Sequence, residues 1–254
     1  MDKPTLIVTG ASRGIGAAAA KSAVEFGANL ALTARSLASL QKVADELSVA
    51  GGDVFPIAGD LGVEADLKAI VEASVARFGR IDGLINSGGI LEPIAPVSCA
   101  SFDEWDKNFQ VNVLGPVLLT RFALPYLRQS QGRVINISTG ASVKVTPGWA
   151  AYSVAKAALN HYTRILAVDE PDITALAVRP GKVDTDMQAF IRRTGQSGMP
   201  IELHRQFIEI YEQGKLLPPQ KVGRAMAWLA LYAPHAWSGE FIEWNDPRLP
   251  EEIR

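Results

Sequence analysis

The sequence predicts a three-layer α/β fold, a doubly wound parallel sheet of seven strands with helices on both faces. Three observations predict it. Short apolar runs alternate with longer amphipathic segments along the 254 residues. The strand–helix order is kept nearly throughout, which implies parallel pairing through helical crossovers. A glycine-rich turn joins the first apolar run to the first amphipathic segment.

Period-2 or continuous apolar patterns place strands at Thr5–Thr9, Asn29–Ala34, Val54–Ala58, Gly83–Asn86, Arg133–Ser138, Thr174–Arg179 and Phe241–Glu243. Helical periodicity fills the gaps at Gly14–Phe26, Leu37–Val49, Glu64–Phe78, Phe102–Leu127 and Ala151–Val168, then at Ile201–Gln213 and Pro219–Leu231. Right-handed crossovers put ligands at the carboxyl ends of the strands. Proline and glycine fall between elements and none marks a linker, so one domain over residues 1–254 is expected. The least regular stretch, 184–219, follows the sixth strand, where a substrate lid is expected.

Composition narrows the function classes. Hydrophobic residues make up 48% and charged residues 20%, the balance of an ordinary globular protein. With a net charge of −2 and no basic run, nucleic acid is not an expected partner. No stretch approaches the roughly 18 consecutive apolar residues of a membrane span. Met1-Asp2-Lys3-Pro4 runs straight into the first strand and leaves no room for a signal peptide. Cys99 has no second cysteine to pair with, which fits a reducing compartment. A soluble, cytoplasmic protein is expected. His161, His204 and His235 lack ligand spacing, so no catalytic metal is expected.

The first strand ends in Thr9-Gly10-Ala11-Ser12-Arg13-Gly14-Ile15-Gly16. Glycines allow a tight turn and a close approach to a pyrophosphate, whose charge a helix N-terminus favours. In this strand–turn–helix setting the turn reads as nucleotide binding and the fold as Rossmann-type. The spacing Gly10, Gly14, Gly16 is TGxxxGxG, which resembles the short-chain dehydrogenase/reductase family over nearly the whole chain.

The resemblance implies a nicotinamide dinucleotide. Family members that use NAD carry an acidic residue at the end of the second strand. Here that strand ends Ala34-Arg35, and Arg13 adds a second cation, so NADP(H) is expected. Asp60-Leu61 resembles the adenine-contacting pair, although Asp60 also suits a turn. Asn86-Ser87-Gly88-Gly89 stands where the family shows Asn-Asn-Ala-Gly; Asn86 and Gly89 match, and Gly88 keeps the backbone slim beside the cofactor. Arg179-Pro180-Gly181-Lys182-Val183-Asp184-Thr185 resembles the segment that meets the nicotinamide carboxamide, through Val183 and Thr185 behind the Pro180-Gly181 turn.

Tyr152 and Lys156 are four residues apart at the start of a helix, which puts phenol and ammonium on one face. A nearby cation favours phenolate and is expected to lower the tyrosine from its reference of about 10. The resemblance makes these two the catalytic pair. It places a serine thirteen residues earlier, where this chain has Thr139 flanked by Ser138 and Ser142; strand alternation turns Ser138 away and favours Thr139. Asn112 matches the asparagine that kinks its helix and holds a water behind the lysine.

Gly148-Trp149-Ala150-Ala151-Tyr152, Asp169-Glu170-Pro171, Asp184-Thr185-Asp186-Met187-Gln188 and the tail from Gly239 to Asp246 are most similar to sepiapterin reductases and the related benzil reductases. The similarity implies that Asp246 anchors a pterin edge; a turn aspartate before Pro247 is the equal alternative. Trp149 is expected to wall the substrate pocket, with Met187, Phe190, Phe207 and Tyr211 as candidate lid residues. The function expected is NADPH-dependent reduction of small carbonyl compounds, α-diketones or pterin-like. A secondary alcohol dehydrogenase, a ketoacyl reductase and a non-catalytic dinucleotide sensor are the competing readings. Family members dimerise or tetramerise through the two long helices, so a homodimer or homotetramer is expected.

Overall fold

A computed structural model describes residues 3–254. Seven strands, β1 (Thr5–Thr9), β2 (Asn29–Ala34), β3 (Val54–Ala58), β4 (Gly83–Asn86), β5 (Arg133–Ile137), β6 (Thr174–Arg179) and β7 (Phe241–Glu243), form one sheet in the order β3-β2-β1-β4-β5-β6-β7. Every neighbouring pair is parallel. Such a sheet is covered on both faces, which is why β1 reads as an unbroken apolar run with all five residues buried.

The helices are α1 (Gly14–Glu25), α2 (Leu37–Val49), α3 (Glu64–Phe78), α4 (Phe102–Phe109), α5 (Gly115–Ser130), α6 (Ala150–Asp169), α7 (Asp186–Thr194), α8 (Ile201–Glu212) and α9 (Pro219–Tyr232). Alternate strand residues feed two cores. Leu6 and Val8 of β1 face α1, α2 and α9 through Ala19, Leu40 and Met226, while Ile7 faces α3, α5 and α6 through Ile70, Leu119 and Leu166. The first core is closed by small residues: a methyl group on Gly223 of α9 would lie 2.5 Å from the Ala18 carbonyl carbon of α1. Backbone thus meets backbone, and the two helices have no room to slide.

Two expectations are corrected. The helix expected at Phe102–Leu127 is three pieces, because α4 passes through a π-helical segment, Gln110–Leu114, before α5 begins at Gly115-Pro116. Proline there lacks the N–H that a continuous helix would use. The stretch 184–219 is also more regular than its composition suggests. It holds α7, whose Met187, Phe190 and Ile191 recur at helical spacing, as well as α8.

Candidate active site

The turn after β1 is shaped by what it cannot hold. Gly10 has φ +64°, and a methyl group there would lie 2.8 Å from Gly88 Cα after β4. Thr9 Oγ1 ties the same two segments by accepting from the Gly88 N–H at 3.0 Å. A methyl on Gly16 would lie 2.4 Å from the Gly10 carbonyl oxygen, so α1 rises directly off the turn. Ile15 packs its side chain on the core, and Ser12 is half-buried on the turn. Neither a side-chain cap nor an acidic residue occupies the first turn of α1, which leaves its N–H groups for an anion. Loop and helix therefore fit a pyrophosphate. Thr185 lies across the turn, its Cγ2 3.3 Å from where a Gly14 methyl would stand.

Beyond β2 and β3 a cavity of about 250 Å³ is lined by Arg35, Ala58, Gly59, Asp60 and Asp66. Asp60 Oδ1 accepts from the Gly62 N–H at 2.9 Å, so this carboxylate already serves a turn. Leu61 fits against Gly88, where a methyl would come within 2.5 Å of Leu61 Cδ1; glycine at 88 is what this leucine demands. Arg35 has no ion-pair partner among the described residues. Arg13 does not line the cavity: its guanidinium meets Asp186 at the start of α7, 3.0 Å away. The two arginines expected at one pocket thus diverge, because the lid offers Arg13 a carboxylate.

Tyr152 and Lys156 lie one turn apart on α6, both buried. Lys156 Nζ donates to the Ile137 carbonyl at the end of β5 (2.7 Å) and stands 5.9 Å from the centre of the phenol ring. Burial pushes the phenol up to about 12, partly offset by the Thr139 hydroxyl, and pushes the ammonium down to about 8. The expected lowering of Tyr152 by its cationic neighbour is thereby corrected: desolvation raises the phenol, and what pulls it down is the Thr139 hydroxyl and not the ammonium. Tyr152 is a neutral phenol at pH 7, a group that can give a proton.

Thr139 opens the 3-10 turn Gly140–Ser142 after β5 and faces the phenol; its Oγ1 accepts from the Ala141 N–H at 3.2 Å. Ser142 is committed elsewhere, donating to the Thr139 carbonyl (2.6 Å) and accepting from Asn160 Nδ2 (2.9 Å). Ser138 Oγ is buried without a partner among the described residues. Asn112 sits inside the π segment, fully buried, and clasps the backbone of Ile90: Nδ2 donates to its carbonyl at 2.7 Å and Oδ1 accepts its N–H at 3.2 Å. A methyl group on Gly89 would lie 2.7 Å from Asn112 Oδ1 and 3.7 Å from Lys156 Nζ, so both side chains converge on that glycine. Asn86 reaches across to Asn136 (2.8 Å), which donates to Thr163 (2.9 Å) and braces β4 and β5 beneath the site.

Around Tyr152 the surroundings are apolar. Trp149 meets it edge-on with ring centres 6.0 Å apart, and Phe207 of α8 lies 5.5 Å from Trp149. Leu91, Ile191 and Met199 complete this cluster, with Met187 and Phe190 packed against it. The sequence reading missed the first three; Ile191 carried a signal, standing four residues after Met187. Tyr211 lies outside, half-exposed under the Arg192 guanidinium at 3.8 Å. After β6, Gly181 with φ +76° turns the chain beneath Trp244, and Val183 bridges to Leu217 across the lid. The pterin-anchoring expectation for Asp246 meets a different geometry: Arg248 donates to its carboxylate through its backbone N–H (3.0 Å), Nε (2.9 Å) and Nη2 (3.0 Å). The turn alternative describes this residue.

With this geometry in place, similarity to known proteins is informative. A sequence profile described as short chain dehydrogenase matches residues 4–196. The chain belongs to the short-chain dehydrogenase family. It is accordingly an oxidoreductase of a family that uses nicotinamide dinucleotides. Among short-chain dehydrogenase relatives, a Saccharomyces cerevisiae protein named benzil reductase ((S)-benzoin forming) is 35% identical, over 96% of this chain and 97% of its own. The crystal structure of a short-chain dehydrogenase/reductase from the same yeast superposes with a TM-score of 0.92 at 35% identity, covering 96% of this chain and 97% of that one. A 3-ketoacyl-(acyl-carrier-protein) reductase of Brucella melitensis complexed with NADH is 26% identical, with a TM-score of 0.82 over 95% and 96% of the two chains. A blue fluorescent protein from a metagenomic library in complex with NADPH is 27% identical, again with a TM-score of 0.82, over 96% and 97%. Among the described residues no helix is long and apolar enough to cross a membrane.

Proposed function

We propose that the protein is an NADPH-dependent reductase of small aryl carbonyl compounds, vicinal diketones above all. One observation carries this reading: a buried, protonated tyrosine one helical turn from a lysine is packed in an apolar cluster with Trp149 and Phe207. Such surroundings suit an aromatic ketone better than a sugar. When bound, the dinucleotide supplies a hydride. Gly10, Gly14 and Gly16 would hold its pyrophosphate, and Arg35 beside the 250 Å³ cavity would take the 2′-phosphate of NADP(H). Tyr152 gives its proton to the substrate oxygen, Thr139 orients that oxygen, and Lys156 would hold the ribose. Asn112 fixes the strand-end turn against which Lys156 packs.

The diketone reading is favoured over the pterin one because Arg248 occupies the carboxylate of Asp246. Similarity to a benzil reductase points the same way. A homodimer belongs to the proposal: Leu114, Val154, Ile165 and Val168 are exposed apolar side chains at the start of α5 and along α6. Following NADPH absorbance with benzil, sepiapterin and an aliphatic ketone, beside a Tyr152→Phe control, tests the chemistry. Turnover of benzil that is lost in the control is the expected result. Cofactor binding without reduction of any ketone overturns the reading in favour of a sensor.

A further inference from the structure

We infer that the indole N–H of Trp149 donates a hydrogen bond to a second substrate oxygen, selecting ketones that carry an oxygen on the adjacent carbon. The inference rests on the carbonyl-reductase reading above and deepens it. Trp149 is only 7% exposed, and its Nε1 is buried with no acceptor among the described residues. A buried indole N–H ordinarily has a partner, and leaving one unmade is costly. The same ring stands edge-on to Tyr152 with centres 6.0 Å apart, so the unmet donor lies on a residue packed against the catalytic phenol.

Leu91, Ile191, Met199 and Phe207, which pack in the same cluster, are apolar. Gln188, on the same helix as Ile191, keeps a buried amide oxygen that has no partner among the described residues either. Phe207 lies against the Trp149 ring at 5.5 Å, in the manner of an aromatic substituent. A vicinal dicarbonyl flanked by an aryl group would satisfy all three features at once. One oxygen lies against Tyr152 and Thr139, the second accepts from Trp149, and the aryl ring displaces Phe207. The carbonyl carbon beside Tyr152 gains a hydride while its oxygen takes the phenol proton, and its π bond breaks to give an alcohol. A bound dinucleotide would supply that hydride, and the second carbonyl stays intact on the indole.

The test compares wild type with Trp149→Phe, which keeps an aromatic ring and removes the N–H. The substrates are benzil and deoxybenzoin, a ketone of the same shape without the second oxygen. With NADPH, the ratio of kcat/KM for benzil to that for deoxybenzoin falls about tenfold or more. Equal losses on both, or no loss on benzil, overturn the inference while leaving the reductase reading in place. Failure of the wild type to reduce either ketone removes that reading, and the inference with it. A second readout does not depend on the folding of the variant. In Tyr152→Phe protein carrying NADPH, the nitrogen-15 indole resonance of Trp149 moves downfield on adding benzil and stays in place with deoxybenzoin. An unmoved resonance with benzil present overturns the inference.

Discussion

Lys156 spends its hydrogen bond on the Ile137 carbonyl, 2.7 Å away, and not on the phenol of Tyr152, whose ring centre is 5.9 Å from the ammonium. Its charge is nonetheless buried, and burial holds it near 8. Between about 8 and its ordinary 10.5 the unfolded chain binds a proton that the folded chain has released, so stability rises with pH across that window. Tyr152 acts oppositely: between 10 and about 12 the folded chain keeps a proton that the unfolded chain loses, and stability falls. Urea unfolding of wild type against Lys156→Met resolves the first effect. Wild type gains on the order of 1–3 kcal/mol relative to the variant from pH 8 to 10.5; a gap independent of pH contradicts this.

Proton donation by Tyr152 sets the second expectation. Tyr152→Phe lowers kcat by about 10²–10⁴-fold and leaves nucleotide affinity nearly unchanged. Thr139→Ser keeps the hydroxyl and most of the activity, whereas Thr139→Val, equal in shape but without the hydroxyl, loses about tenfold or more. If Thr139→Val is as active as wild type, the orienting hydroxyl lies elsewhere, and Ser138 is the next to test.

Arg13 and Asp186 form an exposed pair, each side chain 69% accessible. Pairs of this kind contribute little, so Asp186→Asn changes unfolding stability by less than about 1 kcal/mol. Freed from its carboxylate, Arg13 can turn to a phosphate. Fluorescence titration should show NADPH binding tightened a few-fold and NADH unaffected. Arg35→Ala acts in the other direction, weakening NADPH by about tenfold or more relative to NADH.

The contact of Gly10 with Gly88 leaves no room for side chains. Gly10→Ala adds a methyl 2.8 Å from backbone and imposes a left-handed conformation on alanine, costing on the order of 1–3 kcal/mol. Thermal unfolding and dinucleotide affinity should both drop. Gly27→Ala shares a positive φ but has open space around it, so it loses stability without losing affinity.

Much of this was legible along the chain. Six strands begin and end at the residues where the short apolar runs start and stop, and β5 closes one residue early. Patterning of this kind is local and survives folding. The π segment was not legible, because periodicity averaged over several turns hides one widened turn, although Gly115-Pro116 marked its end. Helix α7 carried its own signal in Met187, Phe190 and Ile191 and was masked by surrounding glycines and prolines. In the site, the Tyr152–Lys156 spacing and the glycine turn are short-range facts. Asp246 meets Arg248 only two residues on, a turn that the local sequence offered. The partner of Arg13, and the lack of one for the Trp149 indole N–H among the described residues, depend on which distant segments meet, and no local pattern encodes that.

The backbone-to-backbone seating of Gly223 on Ala18 has a consequence for how such a protein can change. It clamps α1, and with it the amide end that would grip a pyrophosphate, to α9 on the same face of the sheet. Arg13 and Arg35, by contrast, sit at an exposed rim with no core atoms depending on them. Grip and preference are therefore separable. Substitutions at the rim can retune which dinucleotide is chosen without disturbing the fold, whereas drift at the clamp would loosen every dinucleotide alike.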